Sequence, residues 1–120
     1  VQAREYLYYK IYGKQIVVPI AMMTSHEKNN HAHILSICEK NGWFGRPKES
    51  FRFFSQISVP VINREGKWSL SGSFELNLKP GGHGVIWKLA EEKGIFDWLH
   101  SLGKTKLLVR QINNPIAGMD

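Results

Sequence analysis

Apolar and aromatic side chains recur at Tyr6, Leu7, Tyr9, Ile11 and Tyr12, and the stretch ends on Gly13. That spacing predicts a helix over residues 1–13 with a glycine stop. Residues 16–23 (IVVPIAMM) form a short apolar run rich in β-branched residues. They predict a buried strand, bent or weakened at Pro19. Thr24 and Ser25 follow as N-cap candidates for a helix over about 26–41, on which His33, Ile34, Ile37 and Cys38 share a face. Gly42 ends it. Residues 51–57 (FRFFSQI) read as a second strand. Two extended stretches across 59–70 flank Asn63-Arg64-Glu65-Gly66, a hairpin turn signal. Residues 74–78 add a short extended piece.

A glycine-dense loop, Lys79-Pro80-Gly81-Gly82-His83-Gly84, comes next. A helical pattern begins at once, with Ile86, Leu89 and Ala90 on one face. Gly94 interrupts it, and residues 95–102 resume with Phe96, Trp98, Leu99 and Leu102. Residues 106–112 (KLLVRQI) read as a third apolar strand. Alternation of helices and strands argues for an α/β layer with a mostly parallel sheet and a β-hairpin insertion.

The chain has 120 residues, one domain or a piece of one. Its 42% hydrophobic and 22% charged residues exclude global disorder. No run reaches the roughly 18 apolar residues of a membrane-spanning helix. No basic-then-apolar signal peptide opens the sequence, and Val1 in place of Met leads us to expect that something upstream has been removed. Lys and Arg number 16 against 10 Asp and Glu, a net +6 with a pI near 9.6. Such a surface favours anionic partners. The charges are scattered along the chain, however, and this reads as a solvated basic surface. Cys38 is the only cysteine. That excludes an internal disulfide and a cysteine-based zinc site, and it fits a reducing compartment.

Three segments carry candidate chemistry. In Pro80-Gly81-Gly82-His83-Gly84, glycines let the backbone approach a ligand and expose its N–H groups. The helix start beyond them suits phosphate, and His83 could donate to a phosphate or sugar oxygen. The spacing is neither GxGxxG nor a Walker A loop. An ordinary tight connection before a helix is the alternative. The second segment ends in Gln56, at a strand end where open α/β sheets contact ligands. Its amide offers a donor and an acceptor to a base edge. The third is Gln111-Ile112-Asn113-Asn114-Pro115, whose paired amides fit a sugar or a hydrated cation, or simply a turn before proline. The histidines do not converge: His31 and His33 lie about 200° apart on a helix, and His26 and His31 are not an i, i+4 pair. Cys38 on an apolar face reads as an inert core thiol.

Several segments, taken in order, resemble the UDP-sugar pyrophosphorylase family, the UTP–sugar-1-phosphate uridylyltransferases. The likeness is greatest to its plastid-type and bacterial members that act on glucose 1-phosphate. The matching residues are Pro19-Ile20-Ala21-Met22-Met23-Thr24-Ser25, Trp43-Phe44-Gly45, Phe53-Phe54-Ser55-Gln56 with Val59-Pro60, Pro80-Gly81-Gly82-His83-Gly84, and Ile112-Asn113-Asn114 with Asp120. The resemblance covers about residues 15–120. It implies a Rossmann-like (GT-A-like) nucleotidyltransferase core. It also implies a Mg²⁺-dependent reaction in which a sugar 1-phosphate attacks the α-phosphorus of UTP, giving a UDP-sugar, UDP-glucose in the first instance, and pyrophosphate. By the same resemblance Gln56 reads uracil, Gly82 lays its backbone against the nucleotide, and Met23 lies near the uridine. His83 sits beside the α-phosphate and sugar, with Asn113 and Asn114 in the phosphate and sugar region.

Two departures from the family pattern matter. The family's upstream glycine-rich loop and its C-terminal sugar-binding part are absent, so residues 1–120 read as the central part of a larger catalytic domain, inactive alone. Asn113-Asn114 also replaces the usual Asp-Asn, and a neutral amide is a poorer ligand for a hard cation. Asn113 as a metal ligand is therefore in doubt, and Asp120 is the alternative. The competing reading is a non-catalytic uridine nucleotide or phosphate-binding module of the same fold. UTP and a sugar 1-phosphate are the expected partners, with no nucleic acid and no membrane. A homo-oligomer through exposed apolar faces remains open. The implied compartment is a bacterial cytoplasm or the plastid stroma.

Overall fold

In the computed structural model, residues 1–112 and Asn114 are described. Strand β1 (Ile20–Thr24) lies parallel to β2 (Phe51–Ser55), in register from Ile20 opposite Phe51 to Thr24 opposite Ser55. The connection between them carries helix α2 (Asn30–Lys40), entered through a 3₁₀ turn at Glu27–Asn29. The chain then builds an antiparallel arm. Strand β3 (Ser58–Pro60) pairs with β6 (Leu78–Pro80), and β4 (Leu70–Gly72) pairs with β5 (Glu75–Leu76). Helices α3 (Ile86–Glu92) and α4 (Ile95–Ser101) follow. A helix α1 (Gln2–Tyr12) precedes everything.

The core sits where α3 and α4 cover the parallel pair. Phe54, Leu89, Ala90, Ile95 and Leu99 are buried together, with Met23, Ala21 and Trp98 packed against them. Residues on β2 alternate as the pleat requires. Phe54 faces α3 and α4. Phe51 and Phe53 stack on each other and meet Trp43 on the opposite side. No described side chain is less than 2% exposed. The Cα radius of gyration is 18.1 Å, against about 13.6 Å for a compact domain of this length. The core is small for the chain, and the arm from 61 to 79 is almost wholly exposed.

The hairpin turn forms where its sequence predicts. Ile62 bridges Trp68, and the Asn63 carboxamide oxygen accepts from the backbone N–H groups of Glu65 and Lys67. Gly66 supplies the positive φ of 78°. The paired helical segments around Gly94 also form, with Leu89, Ala90, Ile95 and Leu99 inward.

Four expectations need correction. Thr24 does not cap α2. It ends β1, is 3% exposed, and its hydroxyl joins Phe54 O (3.3 Å) and His31 Nδ1 (2.8 Å). The inward side of α2 is Ile34, Leu35 and Cys38, while His33 and Ile37 are exposed. Residues 106–112 form no strand. The sheet is also not mostly parallel: among the described residues one strand pair is parallel and two are antiparallel.

Helix α1 buries none of its side chains. Polar contacts hold it instead. Val18 N–H donates to Glu5 Oε1 (2.6 Å), and Arg46 bridges the Glu5 carboxylate and the Val18 carbonyl. Gln2 donates to the carbonyl of Phe44. The segment that delivers Arg46 is unusual, because Gly42, Trp43, Phe44 and Gly45 all have positive φ. For Trp43 and Phe44 that conformation costs about 1–2 kcal/mol each. The Trp43 ring against Phe51 and Phe53, and the Gln2 bond to Phe44, hold it in place.

Burial by itself raises the Glu5 pKa. The bonds from Arg46 and Val18, with the Arg46 charge, outweigh it and leave the carboxyl below the usual glutamate value. A depressed folded-state pKa stabilises the folded form above the ordinary glutamate range. That contribution is lost as pH falls through the folded value. The protection factors of the α1 amides, which are exchange rates corrected for their intrinsic pH dependence, should therefore fall on acidification. Glu5→Gln should open α1 at neutral pH by about 2 kcal/mol and remove that pH dependence. An α1 that exchanges identically in wild type and variant would show that the pair does not hold the helix.

Candidate functional site

Gln56 occupies the junction between the two kinds of sheet. Its backbone N–H donates to Thr24 O (2.8 Å), continuing the β1–β2 ladder by one residue. The next residue, Ile57, accepts from Gly81 N–H (2.9 Å), continuing the β3–β6 ladder by one residue. The end of β1, the end of β2 and the glycine loop therefore meet at one place. This is the C-terminal edge of the parallel pair, where α/β sheets present ligands.

The loop geometry requires glycine twice. A Cβ on Gly81 would sit 3.2 Å from both Ile57 O and Val85 Cγ1. Gly82 has φ 88° and ψ 173°, a region closed to side-chain-bearing residues without strain. A 3₁₀ turn, His83–Val85, then leads into α3. Helix α3 has only seven residues. The anion-binding capacity of this loop therefore rests on the amides of the loop and turn, not on a long helix dipole.

His83 is exposed, and the Gln111 amide donates to its Nε2 at 3.2 Å. That contact turns the Nε2 side of the His83 ring toward Gln111. It also brings the segment ending at Gln111 to the glycine loop. Asn114 is exposed and its backbone N–H returns to Gln111 O at 3.1 Å. Asn113 and Asp120 lie outside the described residues. Met23 is half-buried, and its side chain packs on the core beneath α3 and α4.

Gln56 also lines an open cleft of about 900 Å³ together with Ser55, Ser58, Arg52, Lys93 and Trp98. Met23, Gly82 and His83 do not line it. The Arg52 guanidinium lies over the Trp98 ring, 5.4 Å from its centroid. Sequence reasoning missed Arg52, Lys93 and Trp98. Arg52, Phe54 and Gln56 are i, i+2 and i+4 on one strand, so their shared face was available from period two alone.

Among the described residues, no group of three or more His, Cys, Asp or Glu side chains could hold a metal ion. Cys38 is buried, and burial followed by the charge of Glu39 raises its pKa, which keeps it a thiol. It is no nucleophile at neutral pH.

The family model for UTP–glucose-1-phosphate uridylyltransferase matches residues 1–120. The chain belongs to this family. It is 52% identical over 120 residues to UTP–glucose-1-phosphate uridylyltransferase 3, chloroplastic, of Arabidopsis thaliana, covering 99% of the chain and 14% of that protein. It is 30% identical over 102 residues to the probable UDP-N-acetylglucosamine pyrophosphorylase of Dictyostelium discoideum, covering 84% of the chain and 21% of that protein. A crystal structure assigned as a UDP-N-acetylglucosamine pyrophosphorylase from Entamoeba histolytica superposes with a TM-score of 0.71. Its identity is 23%, over 82% of this chain and 24% of that one, so it bears on the fold alone. The chain thus spans between about a seventh and a quarter of the length of these relatives.

Proposed function

We propose that this chain is the central part of a UTP–sugar-1-phosphate uridylyltransferase, one that makes a UDP-sugar and releases pyrophosphate. The observation that carries the reading is the junction at Gln56, where the backbones of β1, β2 and the glycine loop meet at the C-terminal edge of a parallel strand pair. In this proposal Gln56 pairs with the uracil edge. Gly82 gives the base and ribose close backbone approach, with Met23 beneath. His83, oriented by Gln111, and the Asn113-Asn114 pair face the phosphates and the sugar. The reaction is an in-line displacement at the α-phosphorus, so the protein's task is positioning and charge neutralisation. The sugar is glucose by the identity to the Arabidopsis protein. The compartment proposed from the same relative's name is the plastid stroma, with a bacterial cytoplasm as the alternative.

A Rossmann-like, GT-A-like core is the fold we propose for the whole catalytic domain. The parallel β1–β2 pair covered by α3 and α4 supports it. The resemblance implies Mg²⁺, but the described residues offer no divalent-cation cluster. Mg²⁺ would be held chiefly by the substrate phosphates and waters with one or two carboxylates. A glycine-rich loop upstream and a sugar-binding region downstream would complete the site. The second reading, a binding module without turnover, is favoured by one feature: Asn113-Asn114 in place of Asp-Asn removes a charge where a hard cation would bind.

The test is turnover by the full-length protein. UTP with glucose 1-phosphate is expected to release pyrophosphate and form UDP-glucose, and ATP is not. The 120-residue chain alone is expected to form none. UTP binding by the full-length protein without pyrophosphate release would establish the module instead.

A further inference from the structure

The Gln56 junction closes on Thr24, and Thr24 is tied down from a third element. Its carbonyl takes the Gln56 N–H, the bond that carries the β1–β2 ladder one residue past the end of β2. Its hydroxyl lies 3.3 Å from Phe54 O and 2.8 Å from Nδ1 of His31, in the first turn of α2. A hydroxyl buried as deeply as this one needs partners, and leaving it without one is as costly as losing a hydrogen bond. Two further bonds close the turn between Thr24 and His31. Ser25 N–H donates to Asn30 Oδ1 (3.1 Å), and His31 N–H donates to Ser25 O (3.0 Å). The His31 ring is half-buried and stands edge-on to Phe53, with centroids 6.3 Å apart and an interplanar angle of 87°.

By the pleat, Phe53 and Ser55 face away from Phe54 and Gln56. Thr24 stands opposite Ser55 in the register, so its side chain shares the Ser55 face. His31 therefore meets the junction from the α2 side, behind the face on which Gln56 opens to the cleft. It reaches Gln56 through Thr24. That route matters because of where Gln56 sits. Ladder ends fray, since the last bond has none beyond it for support. Gln56 is at such an end, and the chain leaves one sheet for another there, with Ile57 O already taking Gly81 N–H. One ladder bond orients the Gln56 backbone toward β1, and a tie on the residue that accepts it fixes that orientation.

We propose that His31 is a positioning residue for Gln56. By holding the Thr24 hydroxyl it fixes the last residue of β1, and with it the carbonyl that sets the Gln56 backbone. The amide side chain is then presented to the nucleotide in one orientation, and less ordering is left to be done on binding. The effect on affinity rests on the reading of Gln56 as the residue that pairs with uracil, while the effect on the junction does not. Either tautomer of His31 makes the bond. Nδ1 accepts from the hydroxyl, or Nδ1–H donates to it while the hydroxyl donates to Phe54 O. The role needs one polar atom attached to Cγ and not the rest of the ring. Asparagine carries an oxygen and an NH₂ group at that place, and leucine carries only methyl groups.

Hydrogen exchange of residues 54–57 and calorimetric titration with UTP, both on full-length variants, decide this. In His31→Leu the segment should exchange about tenfold faster and UTP should bind about tenfold more weakly, the equilibrium equivalent of one hydrogen bond. His31→Asn should return both readouts to nearly the wild-type level. Thr24→Val removes the other partner while keeping its shape, and it should match His31→Leu. In a Gln56→Ala background, His31→Leu should weaken UTP no further, because effects that run through one residue do not add. An asparagine variant as impaired as the leucine one overturns the proposal, since it places the effect in ring packing against Phe53. Additive losses in the double variant overturn it too, because His31 would then act on the nucleotide by another route. So does a lower melting temperature with exchange at 54–57 unchanged, the mark of a purely structural residue. If Gln56→Ala alone leaves UTP binding unchanged, uracil reading falls, and faster exchange in His31→Leu that asparagine reverses still establishes the positioning.

Discussion

Gln56→Ala in the full-length protein is expected to raise KM for UTP about 100-fold and leave kcat nearly unchanged. With the proposed uracil contact, the magnitude follows from two hydrogen bonds to the base edge, each worth about 1–1.5 kcal/mol. The split follows from position. The base lies away from the reacting phosphorus, so its contacts are the same in the ground and transition states, and removing such uniform binding moves KM alone. The fold should survive the change, because Gln56 holds the sheet junction through its backbone N–H to Thr24 O and not through its side chain. Gln56→Glu sharpens the test. A carboxylate accepts from uracil N3–H but meets the O4 acceptor with no donor, so it should bind UTP no better than alanine does. Steady-state kinetics of the three proteins would check this. An unchanged KM in the alanine variant would remove uracil reading from Gln56, and a fall in kcat alone would place the residue in the chemistry instead.

What the sequence disclosed here depended on whether its signals were local. The turn at Asn63–Gly66 was legible because the Asn63 side chain caps its own turn, and nothing distant is needed. The helices around Gly94 were legible because period 3.6 placed Leu89 and Ala90, and Leu99 beyond the glycine, on faces that meet Phe54; Ile95 joins them unforeseen, and Leu102 stays exposed. Residues 106–112 failed for the opposite reason. A strand is defined by its neighbour, and β-propensity without a partner edge yields no ladder. Helix α1 forms over Gln2–Tyr12 with Gly13 as its stop, as its spacing predicts, but what holds it was not legible. Its tyrosines and leucine have helical spacing but find no surface to bury against among the described residues, and Glu5 and Arg46 hold the helix instead. The Glu5–Arg46 pair spans 41 residues, and no window of sequence contains both partners.

The candidate site divides along the same line. Gln56 and the glycine loop could be named from the sequence because strand ends and glycine-dense turns are local patterns. That the two meet could not be, since it rests on β3 and β6 pairing across the arm in a register that sets Ser58 against Pro80. The cleft residues Arg52, Lys93 and Trp98 come from β2, the end of α3 and α4, and packing alone assembles them.

The glycine loop gives the second large effect, and it separates three substitutions of identical chemistry. Gly82→Ala should weaken UTP binding about 30-fold, because alanine at φ 88°, ψ 173° costs about 2 kcal/mol. Nothing lies within 4 Å of the added Cβ. The cost is therefore one of backbone conformation, and the loop can relieve it by leaving the binding-competent shape without unfolding the domain. Affinity falls while the melting temperature barely moves. Gly84→Ala adds the same methyl group where φ is not positive and no atom is near, so it should be silent in both measurements. Gly81→Ala meets Ile57 O and Val85 Cγ1 at 3.2 Å. It should lower the melting temperature as well as the affinity, because it pushes apart the segments that set Gln56 beside the loop. Titration calorimetry with UTP and thermal unfolding of the three full-length variants read out the pattern. A Gly82→Ala protein that binds UTP like wild type would mean that the nucleotide does not use this loop's backbone. If instead Gly82→Ala and Gly81→Ala lose stability equally, the loop's glycines serve the fold, and the nucleotide contact must be sought on the cleft face of Gln56.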